Sequence, residues 1–145
     1  MLKIIAGIEG IKGISALIES VEKGLDDMSE PLKEANAYMR EQINRNYDAK
    51  GGVLTSKWQA LSPEYARRKK RGEILVETGK MKKSFFSVFS KNQVEIGNKA
   101  DYFVYHQSNK PRTIIPRRAM LGITTVQQTE IYRFFTKYLN KIKNG

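Results

Sequence analysis

Trp58-Gln-Ala-Leu61-Ser62-Pro63-Glu64-Tyr65, Arg67-Arg68-Lys69-Lys70-Arg71, Ile74-Leu75-Val76-Glu77-Thr78-Gly79, Lys80-Met81-Lys82-Lys83-Ser84-Phe85-Phe86-Ser87-Val88-Phe89 and Val94-Glu95-Ile96-Gly97 follow one another closely in the chain, and their reading decides the fold. This stretch holds the single Trp of the sequence, its densest positive charge and its clearest strand pair. Phe85, Ser87 and Phe89 alternate with Phe86, Val88 and Ser90; after Lys91-Asn92-Gln93, Val94-Glu95-Ile96 alternates again. Strand side chains point to opposite faces in turn, so a period of two predicts a β-hairpin. The expected fold is α+β. A small antiparallel sheet, made of the hairpin at about 84–97 with N-terminal and edge strands, packs with a long helix in the N-terminal half and a C-terminal helix.

Working upstream, Ser62-Pro63-Glu64 opens a short helix with a hydroxyl cap, Pro in the first turn and an acid at the positive end of the dipole. Lys69-Lys70-Arg71 before Gly72 suits its other end, which accounts for part of the basic run without any partner. Asp48-Ala-Lys-Gly51-Gly52 reads as a loop whose far end is pinned by Trp58 and Leu61. Before it, Ser29 as N-cap and Pro31 begin a helix whose stripe is Met28, Leu32, Ala35, Met39, Ile43 and Tyr47. That stripe can pack on its own sheet or serve between subunits. Ile14, Leu17, Ile18, Val21 and Leu25 mark an earlier helix ending near Gly24, and Leu2, Ile4, Ala6 and Ile8 an opening strand over 2–8. Trp58, Leu61, Leu75, Val88 and Ile96 are expected to share one core with Met39 and Ile43.

Downstream, Ala100 to Gln107 is an aromatic segment of one or two helical turns. Lys110-Pro111-Arg112-Thr113-Ile114-Ile115-Pro116-Arg117-Arg118 is bracketed by prolines that remove ladder donors, which makes it an edge strand or an exposed arm. An arm with apolar Ile114 and Ile115 among cations suits a contact with another subunit or partner, Arg117 and Arg118 supplying planar forks for carboxylates. Alternatively the isoleucines tuck under the closing helix and the arginines stay solvated. Thr125-Val-Gln-Gln128 has the spacing of a capping box, and Ile131, Phe134, Phe135, Tyr138, Leu139 and Ile142 form the apolar face of the closing helix.

The 145 residues suit a single domain over 1–145, large enough to bury a core unaided. With no Cys there is no disulfide, thiolate nucleophile or Cys-based metal site. The N-terminal apolar run is broken by Glu9 and Lys12, a poor signal peptide, and no run approaches the ~20 residues that span a bilayer. A soluble protein made in a cytoplasm is expected. The net charge of +11 is uneven: −3 over residues 1–49, +8 over 50–92 and +6 over 93–145. Such a body suits nucleic acid, an acidic partner or solubility alone.

No motif for chemistry stands out: no paired carboxylates in a readable context, no zinc-helix motif, no nucleophile elbow, no phosphate loop. His106 is the only histidine and lacks the Cys, His or acidic companions of a metal or catalytic site. Its expected role is a structural hydrogen bond. No catalytic residue, cofactor or metal is expected.

Trp58-x-x-Leu61-Ser62, Ile74-Leu75-x-x-Thr78-Gly79-x-Met81-x-x-Ser84, Val94-x-Ile96-Gly97, Tyr102-x-x-Tyr105-His106-Gln107 and Ile115-Pro116-x-Arg118-x-x-Leu121-Gly122 occur in that order. Together they resemble the phage virion morphogenesis family, the tail-completion proteins of Mu-like contractile-tailed phages and prophages, over about residues 28–142. Phe103 stands where the family usually has Ala, Ser108-Asn109 where it has Phe-Gly, and Ala119-Met120 where it has Pro-Phe. Asn109 can still take the left-handed conformation Gly would supply. The resemblance implies a structural virion protein that acts in tail completion or head–tail joining as a homo-oligomeric ring. It also implies tail or head-connector partners, passing contact with DNA, no membrane, and assembly in the host cytoplasm. A free basic nucleic-acid-binding module is the other reading.

Overall fold

The computed structural model describes residues 3–7, 27–68, 74, 79–91, 93–107, 116 and 118–144. The elements are strand β1 (Lys3–Gly7), helix α1 (Ser29–Asp48), helix α2 (Pro63–Arg68), the single turn α3 (Lys80–Lys83), strands β2 (Phe85–Phe89) and β3 (Gln93–Asn98), helix α4 (Phe103–Gln107) and helix α5 (Thr125–Asn144). The strands form one sheet in the order β1-β3-β2. The hairpin is antiparallel, and the Ser90 N–H donates to the Gln93 carbonyl at 2.9 Å across its turn. The fold is α+β, as the alternation at 85–96 requires. The helix expected over 14–25 and the arm from Lys110 to Ile115 lie outside the described residues.

The chain groups into two compact units, each gathered from separate stretches: Met1–Lys3, Gln42–Phe86 and Gly97–Gly122 make unit 1; Ile4–Glu41, Ser87–Ile96 and Ile123–Gly145 make unit 2.

In unit 2 the first half of α1 lies antiparallel to α5. Glu30 pairs with Lys141 at 3.1 Å and Glu34 with Lys137 at 3.8 Å, while the Tyr38 and Phe134 rings meet edge-on at 5.7 Å. As one helix is followed forward the partners run backward. Met28, Leu32, Ala35 and Met39 of the α1 stripe are buried, as are Val94 and Ile96 of β3 and Ile131, Phe135 and Leu139 of α5. The Ser87 hydroxyl donates to the Asn36 carbonyl oxygen at 2.6 Å and accepts from the Arg40 guanidinium at 3.2 Å.

Both long helices start with a different cap from the one the spacing predicts. Ser29 is the first residue of α1; the Asp27 carboxylate accepts its N–H at 2.9 Å and also its hydroxyl. These bonds, the hydroxyl's foremost, hold the Asp27 pKa below its ordinary value. At α5 the capping box is Thr124 with Gln127, one position earlier than Thr125 with Gln128. Val126 N–H donates to the Thr124 hydroxyl at 3.3 Å, and the Gln127 side chain accepts the Thr124 N–H at 2.8 Å. Two adjacent threonines and two adjacent glutamines offer both registers; burial of Gln127 at 2% exposure selects the earlier one.

The residues expected to share one core differ in burial. Trp58, Ile43, Met39 and Ile96 are buried, Leu61 is half-buried, and Leu75 lies outside the described residues. Val88 is 51% exposed, because alternation turns it to the opposite side of β2 from Phe85 and Ser87.

Candidate functional site

In unit 1 the second half of α1 ends at Asp48, and the chain reverses through Lys50 (φ 58°), Gly51 (φ 83°) and Gly52 (φ 90°). Gly51 is required there. A Cβ would stand 2.7 Å from the Trp58 backbone nitrogen and 2.8 Å from its ring, besides the left-handed φ. Asn46, fully buried, holds the loop from inside. Its side-chain carbonyl accepts the N–H groups of Val53 and Leu54, each at 3.0 Å, and its amide donates to the Thr55 hydroxyl at 3.3 Å.

Trp58 follows this loop and is 5% exposed. Its ring meets Tyr47 edge-on at 5.3 Å, Tyr47 meets Phe85 at 6.2 Å, and Phe85 meets Phe103 at 5.7 Å. Edge-to-face pairs of this kind add ~0.5–1.5 kcal/mol each to the area they bury. The Lys82 ammonium lies 5.7 Å from the Tyr47 ring centroid and 3.5 Å from the Asp48 carboxylate. Burial pushes the Tyr47 pKa up, and the neutral hydroxyl donates to Met120 Sδ at 2.8 Å.

The segment 118–122 is clamped onto this framework. Trp58 Nε1–H donates to the Ala119 carbonyl at 2.7 Å. The Gln107 side chain, at the end of α4, acts like a neighbouring strand. Its oxygen accepts Met120 N–H at 2.8 Å and Leu121 N–H at 3.0 Å, and its amide donates to the Leu121 carbonyl at 2.7 Å. Gly122 passes so close to Leu54 that a Cβ would sit against that residue's carbonyl group, 3.2 Å from its carbon. Arg118 points inward. Its guanidinium donates to the carbonyls of Gln59 at 2.8 Å and Ala60 at 3.3 Å, and burial lowers its pKa.

Arg118 therefore departs from the expected outward interface role: at 7% exposure it ties the segment to the residues ahead of α2. The physical reason is reach, since a long fork can satisfy two loop carbonyls that no regular element pairs. Lys110, Pro111, Arg112, Ile114, Ile115 and Arg117 of the same arm lie outside the described residues, and Pro116 is half-buried.

The remaining motif residues build local geometry. Gly79 (φ 76°) opens the turn α3, the Ser84 hydroxyl donates back to the Lys80 carbonyl at 2.5 Å, and Met81 between them is buried. The Met81 carbonyl takes the side-chain amide of Asn98 at 2.7 Å, beside buried Gly97. Tyr102 is 38% exposed, His106 is half-buried, Leu121 is buried and Thr78 lies outside the described residues. Asn46 and Asn98 were not singled out by sequence reasoning. An Asn in mid-helix and another just after a Gly look like solvated positions until their partners are known.

A match to the family model of phage virion morphogenesis proteins spans residues 11–140. The chain belongs to the phage virion morphogenesis family. Comparison with curated proteins and with solved structures returns no match. Three segments of the matched span that lie apart in sequence, around Trp58, Gln107 and Arg118 to Gly122, are joined through hydrogen bonds to backbone within unit 1. Among the described residues no helix is long and apolar enough to cross a membrane, and no three His, Cys, Asp or Glu side chains gather as metal ligands.

Proposed function

We propose that this virion morphogenesis protein is a non-enzymatic assembly component, acting in tail completion or head–tail joining as a ring of copies with tail or head-connector proteins as neighbours. The observation that supports this reading most is that the motif side chains bond their own backbone. Trp58, Gln107 and Arg118 are each committed to loop carbonyls or amides, which fixes a shape and leaves those groups no part in substrate chemistry. A fixed loop surface is what a closed ring needs, because each subunit presents one patch to a different patch on the next.

Sedimentation of the purified chain over a wide concentration range, together with complementation of a phage lacking it, tests the reading. A closed oligomer, and a deletion phage that accumulates unjoined heads and incomplete tails, are the expected results. A chain that stays monomeric at high concentration and is absent from purified virions would refute it. Arg117→Glu probes the arm without touching the Arg118 bonds, and is expected to impair assembly while the subunit stays folded.

A further inference from the structure

The two units differ sharply in charge. Unit 1 holds 17 of the 26 Lys and Arg residues and 5 of the 15 acids, a formal +12; unit 2 holds nine cations and ten acids, a formal −1. Within unit 1, Glu64 meets Arg68 at 3.6 Å and Asp48 meets Lys82 at 3.5 Å. Five acids cannot answer seventeen cations one for one. A second copy does not resolve the excess, since it brings its own +11, and two of the acids in its unit 2, Glu30 and Glu34, already face Lys141 and Lys137.

Exposed apolar side chains divide the other way. Val88, Phe89, Val126, Tyr132 and Ile142, between 37% and 68% exposed, all belong to unit 2. Among the described residues the large exposed hydrophobics of unit 1 are Tyr65 and Tyr102, both with a polar tip. Protein interfaces centre on apolar and aromatic groups with charges at the rim, so the described surface at α2 offers a poor centre for a protein partner. Helix α2 shows its character best. None of its residues is buried, and so short a helix is not stable by itself. It stands on the Ser62 hydroxyl, which accepts Tyr65 N–H at 3.2 Å, and on Arg118 below Gln59 and Ala60. What it carries outward is Arg67 and Arg68, and Lys57, Lys80, Lys83 and Lys99 are exposed elsewhere in the unit.

We propose that unit 1 binds the phosphate backbone of double-stranded DNA without regard to sequence, through α2 and these lysines; this deepens the assembly reading, on which it rests for the presence of DNA beside the ring. Duplex DNA presents about one negative charge per 1.7 Å, a density that separate, long-stemmed cations can match without a shaped apolar centre.

The test is fluorescence anisotropy of a labelled mixed-sequence duplex of about 25 base pairs with the purified full chain, over a salt series. If five or six phosphates are neutralised, affinity falls roughly a thousand-fold between about 50 and 200 mM salt. Arg67→Glu with Arg68→Glu should weaken binding at least about ten-fold and flatten the salt slope by about two, and Lys83→Glu should act in the same direction if that pair fails to fold. Arg133→Glu with Lys143→Glu makes the same charge change in unit 2 and should alter affinity by less than about three-fold. Absence of binding at the lowest salt by folded protein, or equal losses from both double variants, would overturn the proposal. So would tighter binding of polyglutamate than of duplex at equal salt, which would put an acidic protein in the place of DNA. Normal virions with no DNA affinity would remove this inference alone, whereas DNA affinity in a chain absent from virions would remove the assembly reading alone.

Discussion

Replacing Gln107 with Leu keeps nearly the same volume while removing three hydrogen bonds to Met120 and Leu121, at 2.8, 3.0 and 2.7 Å. Two backbone N–H groups and one carbonyl lose their partner at once. Each such group costs ~1–3 kcal/mol if it stays dry and much less if water reaches it. Leu121 is 4% exposed and Met120 fully buried, but Gln107 itself is half-buried, so partial hydration moderates the total. A loss of about 3 kcal/mol is expected, a large share of the ~5–15 kcal/mol by which domains are usually stable. Urea denaturation followed by the fluorescence of Trp58 reads it directly, because that ring is buried against Tyr47 and its N–H holds the adjacent Ala119 carbonyl. Gln107→Glu keeps the acceptor but loses the donor, and should fall between wild type and Gln107→Leu. A Gln107→Leu midpoint corresponding to less than about 0.5 kcal/mol would show that 118–122 is not held by this side chain, and the clamp would be a packing accident.

Gly122→Ala drives a methyl against the Leu54 carbonyl group and should cost about 2 kcal/mol by denaturation, with Asn46 unable to hold the displaced loop. Arg118→Gln leaves the Gln59 and Ala60 carbonyls short of donors and is expected to lower stability by about 2 kcal/mol in the same assay. Burial raises the Tyr47 pKa above 10.0, so its stabilisation is whole below that value and declines as pH rises toward the folded value; Tyr47→Phe should therefore retain more of its neutral-pH stability in alkaline denaturation. Asp27 has its pKa lowered from 3.8, so its contribution is present above that pH and vanishes as pH falls through the folded value; the stability gap between wild type and Asp27→Asn should close on acidification.

Periodicity made the hairpin and both long helices readable, because each buries one face and the α1 stripe from Met28 to Tyr47 is buried as its spacing requires. Helix starts were misread by one or two positions where neighbouring residues offer equivalent caps, as Thr124 and Thr125 do. Arg118 was misjudged for another reason. Periodicity reports which side of an element is dry, but a charged side chain in an irregular segment takes its direction from distant carbonyls, and nothing near Arg118 in sequence announces Gln59 and Ala60. The site was legible as a set of motifs without its mechanics: Trp58, Gln107 and Gly122 could be named, while their meeting depends on contacts spanning tens of residues.

That reach has a kinetic side. The Trp58 bond to Ala119 closes 61 residues, and the Tyr138 bond to Asp27 closes 111. Loop closure of this length must come before the contacts that reward it, so folding should be slower than for a helical bundle of similar size. A ribosome must also release the C-terminal residues before unit 2 can gain α5, and 118–122 before the clamp on Trp58 can form. Each unit is threaded by the chain in three visits, so a truncation that passes Lys3 from one end or Ile123 from the other removes part of both. Truncation series would then report the loss of the fold rather than the location of an activity, and point substitutions on the intact chain are the informative way to dissect it.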